Sequence, residues 1–127
     1  MKPAAKRRTF HLVLIKPSHY DHDGYPLQWL RSAIPANTLA CVHGLAEEAR
    51  ARNVLGPETE IRIHDIDETN TRVRPDRIAR MIRRDGGLGL IALVGVQSNQ
   101  FPRAVDIAKP FLSAKIPVCL GGFHVSG

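Results

Sequence analysis

Leu88-Gly89-Leu90-Ile91-Ala92-Leu93-Val94-Gly95-Val96 is the most hydrophobic stretch of the chain. It carries no charge, and its apolar side chains fall on positions of both parities. A strand wetted on one face would alternate. This one must be buried on both faces, the condition of a central strand in a parallel sheet covered by helices. Immediately before it, Asp85-Gly86-Gly87 closes a helix that Pro75 opens and that carries Ile78, Met81 and Ile82 on its inner face. Immediately after it, Gln97-Ser98-Asn99 forms a polar turn into a helix from Pro102 to Ala114, which Pro110 must kink or shorten.

Working outward, Phe10 to Lys16 reads FHLVLIK, a second near-continuous apolar strand, ended by Pro17. A long loop from Ser18 to Ala36 follows, holding Gly24, Tyr25, Trp29 and the stiffening Pro26 and Pro35. Asn37 suits an N-cap, and Thr38 to Asn53 spaces Leu39, Val42, Leu45, Ala46 and Ala49 as a helix does, until Gly56-Pro57 stops it. Glu60 to His64 reads EIRIH, a short alternating strand suited to a sheet edge, and Asp65 to Arg74 reads as polar loop. Ile116 to Leu120 is the fourth strand, followed by Gly121-Gly122-Phe123-His124. A helix between every pair of strands gives an α/β, doubly wound parallel sheet with right-handed crossovers. The expected strand order is 2-1-3-4, the flavodoxin-like (Rossmann-like) arrangement with its fifth strand missing.

The length, 127 residues, suits one domain spanning 1–127. With 43% hydrophobic residues the chain can bury a core without disulfides or a structural metal, and disorder is excluded. Cys41 and Cys119 lie far apart in apolar surroundings, which reads as two buried free thiols in a reducing compartment. Lys6-Arg7-Arg8 imitates the basic front of a signal peptide, but Lys16-Pro17 ends the following apolar run too soon for one. No stretch approaches the ~20 apolar residues of a membrane span. A cytoplasmic protein without a membrane partner is the expectation. Lysine and arginine number 18 against 12 acidic residues, a net +6 that favours anionic partners. The excess is concentrated at the N-terminus and in Arg72, Arg74, Arg77, Arg80, Arg83 and Arg84.

In doubly wound sheets a ligand lies beyond the carboxyl ends of the strands, where strand order reverses. Here that crest comprises Ser18 to Tyr25, Gln97 to Gln100 and Gly121 to His124. Adjacent glycines after a strand let a flat ligand approach the backbone. Phosphoryl acceptance is excluded, because Lys16-Pro17-Ser18 and Gln97 stand where a receiver needs carboxylates. The glycine fingerprints of dinucleotide and P-loop sites are absent, and Pro17-Ser18-His19-Tyr20 is no flavodoxin phosphate loop. His19-Tyr20-Asp21-His22-Asp23 and His64-Asp65-Ile66-Asp67-Glu68 have metal-ligating residue types but read as solvated loops. Arg77, Arg80 and Arg84 form an outward stripe of the second helix, the pattern of a charged solvent face.

The layout resembles the cobalamin-binding domain that precedes the catalytic barrel in cobalamin-dependent radical S-adenosylmethionine enzymes. The resemblance rests on Leu14-Ile15-Lys16-Pro17-Ser18 with Tyr20, on Pro35-Ala36-Asn37-Thr38-Leu39-Ala40, and on His64-Asp65. Val94-Gly95-Val96-Gln97-Ser98 and Leu120-Gly121-Gly122-Phe123-His124 complete it across essentially the whole chain. It implies cobalamin, a cobalt cofactor, bound over the crest by Ser18, Tyr20, Thr38, Gln97, Ser98, Asn99, Gly121, Gly122 and His124. The nucleotide tail would pass between strands one and three, by Ser18, Gln97 and Ser98, with the Gly121-Gly122 backbone beside it.

Two departures qualify the resemblance. Cobalamin relatives that ligate cobalt through D-x-H-x-x-G carry a spacing that Asp21-His22-Asp23-Gly24 does not keep, so no protein metal ligand is implied. The C-x-x-x-C-x-x-C run of the catalytic half is absent. The chain then reads as an N-terminal piece of a longer enzyme, without catalytic residues of its own. Its 4Fe-4S cluster and S-adenosylmethionine would belong to a downstream catalytic domain, its expected partner. The rival reading is a basic nucleic-acid-binding or adaptor module using Arg72 to Arg84. It lacks the interleaved aromatics that stack bases, so nucleic acid is the less expected partner.

Overall fold

A computed structural model describes residues 7–20, 24 and 37–122. Four parallel strands, β1 (Arg8–Lys16), β2 (Thr59–Asp67), β3 (Gly89–Leu93) and β4 (Val118–Leu120), form one sheet in the order β2-β1-β3-β4. Three helices, α1 (Asn37–Ala51), α2 (Pro75–Arg84) and α3 (Phe101–Ser113), connect them in sequence. This is the flavodoxin-like arrangement expected from the alternation of elements.

Side-chain parity sets the two layers. Val13 and Ile15 of β1 and Ile91 and Leu93 of β3 meet Ala79 and Ile82 of α2 and Ala104, Ile107, Ala108 and Phe111 of α3. On the opposite face Leu14 and Ala92 pack with Leu39, and Leu12, Val42 and Ile63 close the margin. Thus α1 covers one face and α2 with α3 cover the other. The chain moves one way across the sheet through α1 and the other way through α2 and α3. Crossovers of one hand therefore require opposite faces.

Four local expectations change. β2 is nine residues long and runs to Asp67, not to His64, because it pairs in register with all of β1, ending Lys16↔Asp67. The polar Asp65 and Asp67 hide that extension, since an edge strand tolerates them. α3 continues through Pro110 to Ser113: the proline is exposed and the buried Phe111 follows it. β4 is confined to Val118–Leu120. The cysteines are free but exposed, not buried. Cys41 lies outside the Leu39–Val42–Ala46 stripe of α1, and Cys119 lies on the edge strand, beyond α1, which packs on β1 and β2. Among the described residues, no helix is long and apolar enough to cross a membrane.

Candidate functional site

The order β2-β1-β3-β4 places the switch point between β1 and β3, so the loops leaving those strands flank it. Gly95 takes a φ of +64°, and a Cβ there would stand 3.4 Å from Thr38. The first turn of α1 therefore lies against the end of β3. On the other side, Val96 N–H donates to the Gly121 carbonyl at 2.9 Å, tying the crest loops of β3 and β4 together. Thr38, Gln97, Ser98, Asn99 and Gly121 are all exposed along this rim. The side chains described along it are the hydroxyls of Thr38 and Ser98 and the amides of Gln97 and Asn99.

The two glycines differ in kind. Among the described residues, a Cβ on Gly121 would meet nothing within 4 Å, so the space beside its Cα is open, while its N–H donates to the Leu93 carbonyl and its carbonyl accepts from Val96. Gly122, at φ +145°, lies against the Val96 backbone, and a Cβ would collide with Val96 N, C and O. Its missing side chain is required by the chain itself. His124 lies outside the described residues, as do Asp21, His22 and Asp23.

Ser18 and Tyr20 belong to a different set of contacts. Ser18 is 1% exposed, and its N–H donates to Glu68 Oε1 at 3.0 Å. The Gln100 amide donates from Nε2 to the Pro17 carbonyl at 3.0 Å and accepts at Oε1 from Gln97 N–H at 2.9 Å. Glu68 in turn receives Arg103, whose Nε lies 3.0 Å from Oε1 and whose Nη2 lies 2.7 Å from Oε2. The Tyr20 hydroxyl donates to Asp106 and lies 3.5 Å from Arg103 Nη1, with the guanidinium 5.7 Å from the ring centroid. Burial, then the Asp106 carboxylate, raises the Tyr20 phenol above its ordinary value, with Arg103 opposing. Glu68 holds the Arg103 guanidinium still more firmly protonated than usual.

Glu68, Arg103 and Asp106 are the crest residues that sequence reasoning missed. The run His64 to Glu68 explains one miss, because its polar side chains turn to different partners. His64 meets His11, Asp65 meets His43, Asp67 accepts from Thr69, and Glu68 meets Arg103. Among the described residues no group of three or more His, Cys, Asp or Glu side chains could hold a metal ion.

The arginines of α2 form an exposed face, as the stripe suggested: Arg77, Arg80, Arg83 and Arg84 are all solvent-facing. Arg80, Arg83 and Asp76, the last paired with Arg80 at 3.8 Å, border a shallow groove of about 330 Å³ between α2 and α3, lined also by Ala79 and Ala114. No protein-family model matches the chain, and neither a curated protein nor a solved structure does.

Proposed function

We propose that the crest binds cobalamin, as the cofactor-carrying domain of a larger radical S-adenosylmethionine enzyme. The observation that carries this reading is the open space beside the Gly121 Cα at the end of a rim of hydroxyl and amide side chains, beside the β1/β3 switch point. A flat ring edged with amides is suited to hydroxyl and amide partners, and Thr38, Gln97, Ser98 and Asn99 supply them without charge. When bound, cobalamin would supply the cobalt chemistry, while these residues hold and orient the ring and exclude water. Gln100 would keep the Pro17-Ser18 backbone in place beneath it, through the bond it makes to Pro17.

Titration of the 127-residue protein with hydroxocobalamin, followed by its absorption spectrum, tests the proposal. Saturable binding by the wild type should fall at least tenfold in Gly121→Leu, which fills open space and leaves the fold intact. Equal affinity in the two proteins refutes the placement, and an absence of binding refutes the function. A second reading, a module for anionic polymers, is favoured by the arginine-bordered groove between α2 and α3. Its sign would be salt-sensitive binding of nucleic acid, lost in Arg80→Ala/Arg83→Ala and indifferent to Gly121→Leu.

A further inference from the structure

His11 is 1% exposed, yet both of its ring nitrogens have partners. Nε2 lies 2.7 Å from Asp85 Oδ2 and Nδ1 lies 2.8 Å from His64 Nε2. The three residues come from separate elements: His11 from β1, His64 from the edge strand β2, and Asp85 from the end of α2. Two nitrogens 2.8 Å apart are in hydrogen-bond contact, so one of them must donate and the other accept.

Counting protons shows what this contact can bear. With Asp85 ionised, neutral His11 donates Nε2–H to the carboxylate and accepts at Nδ1 from His64 Nε2–H. One added proton is accommodated. The shared proton passes to His11 Nδ1, the new proton sits on His64 Nδ1, and His64 Nε2 becomes the acceptor. A second added proton leaves N–H facing N–H, and the contact must break. We propose that Asp85, His11 and His64 form a proton-counting clasp that fastens β2 to the α2–β3 turn and releases it in acid.

The surroundings oppose the second proton. His64 is held below the ordinary imidazole value first by burial, then by the charges of His11 and Arg62, with Asp65 opposing. Asp85 is held below the usual carboxylate range by its bond from His11, with Arg84 and Arg62 adding to the effect. Glu60 faces the same edge but is engaged by Arg62 Nε at 3.2 Å. The sign follows. The unfolded chain takes a proton on each of the two imidazoles near pH 6.5, whereas the folded pair accommodates one and refuses the second until lower pH. Stability is therefore full above about pH 6.5 and declines as pH falls toward the folded value.

Urea unfolding of the 127-residue protein from pH 8 to 5 tests the clasp, with His64→Gln as the variant, since its amide can still donate to His11. Below about pH 6.5 the wild-type unfolding constant should climb more steeply than the variant's, by up to about tenfold per pH unit for one proton. Comparison with the variant cancels His43, whose value is raised by Asp65 and which acts in the opposite sense. Parallel slopes overturn the proposal. Should the variant not fold, ring ¹⁵N spectra of the wild type decide. A His64 midpoint below 6.5, with His11 responding in the same transition, supports the clasp. A His64 that titrates at or above 6.5 refutes it.

Discussion

Glu68 is 1% exposed, and its carboxylate is met by the Arg103 fork and the Ser18 N–H. Two desolvated charges recover their hydration loss only through geometry of this kind, so removing one partner strands the other. Because Arg103 keeps 19% of its side chain exposed, Arg103→Met should cost about 3 kcal/mol, the lower end of the range for breaking a buried pair. The double variant Glu68→Gln/Arg103→Met should recover much of that loss, because no buried charge is then left alone. Urea midpoints for the two single variants and the double complete the cycle; additive costs would mean that the pair is not coupled. None of this was legible in the sequence. Glu68 closes a run of polar residues, its partner lies in a helix beyond an intervening strand, and only the fold brings them together. The glycine pair after the fourth strand was legible as a place of close backbone approach. The division of labour between Gly121 and Gly122 was not, because it depends on where Val96 places its backbone.

α2 approaches the sheet at Gly89. A Cβ there would stand 3.0 Å from Ile82 Cδ1 and 3.1 Å from the His11 carbonyl, in a packed and buried environment. The Ile82 side chain thus occupies the space that any other residue at 89 would need. Gly89→Ala should push the helix outward and destabilise the protein by about 1–3 kcal/mol, the usual cost of overfilling a core. Pairing it with Ile82→Val, which removes a methyl from the same contact, should return part of that cost; thermal or urea unfolding reads both. A neutral Gly89→Ala would show that α2 does not depend on this approach. The sequence announced α2 well, through Pro75 at its start and Asp85-Gly86-Gly87 at its end. It announced β2 badly. A nine-residue edge strand carrying Glu60, Arg62, Asp65 and Asp67 looks like strand only as far as its isoleucines alternate, and the remainder is imposed by pairing with β1.

At the scale of the whole molecule, the alternation of apolar runs with helical spacing was enough to give the order β2-β1-β3-β4, because handed crossovers leave few other solutions. That order makes both outer strands edges, and they are guarded differently. β2 carries charges along its length, whereas β4 is Val118-Cys119-Leu120, with no charge between Lys115 and the end of the strand. Among the described strands nothing pairs with the outer side of β4, and its exposed Cys119, in register with Ala92, lies on the α1 face of the sheet beyond the strands that α1 packs on. Uncharged apolar edges recruit other chains, and three residues give only a short zipper, so the association should be weak and concentration-dependent. Under reducing conditions, to exclude a disulfide through Cys119, sedimentation velocity should show the protein self-associating as its concentration rises into the ~100 μM range, the scale of weak association. Cys119→Lys, which places a charge on the edge without entering the core, should keep it monomeric over the same range. A monomeric wild type whose β4 amides are well protected from hydrogen exchange would mean that this edge is already closed.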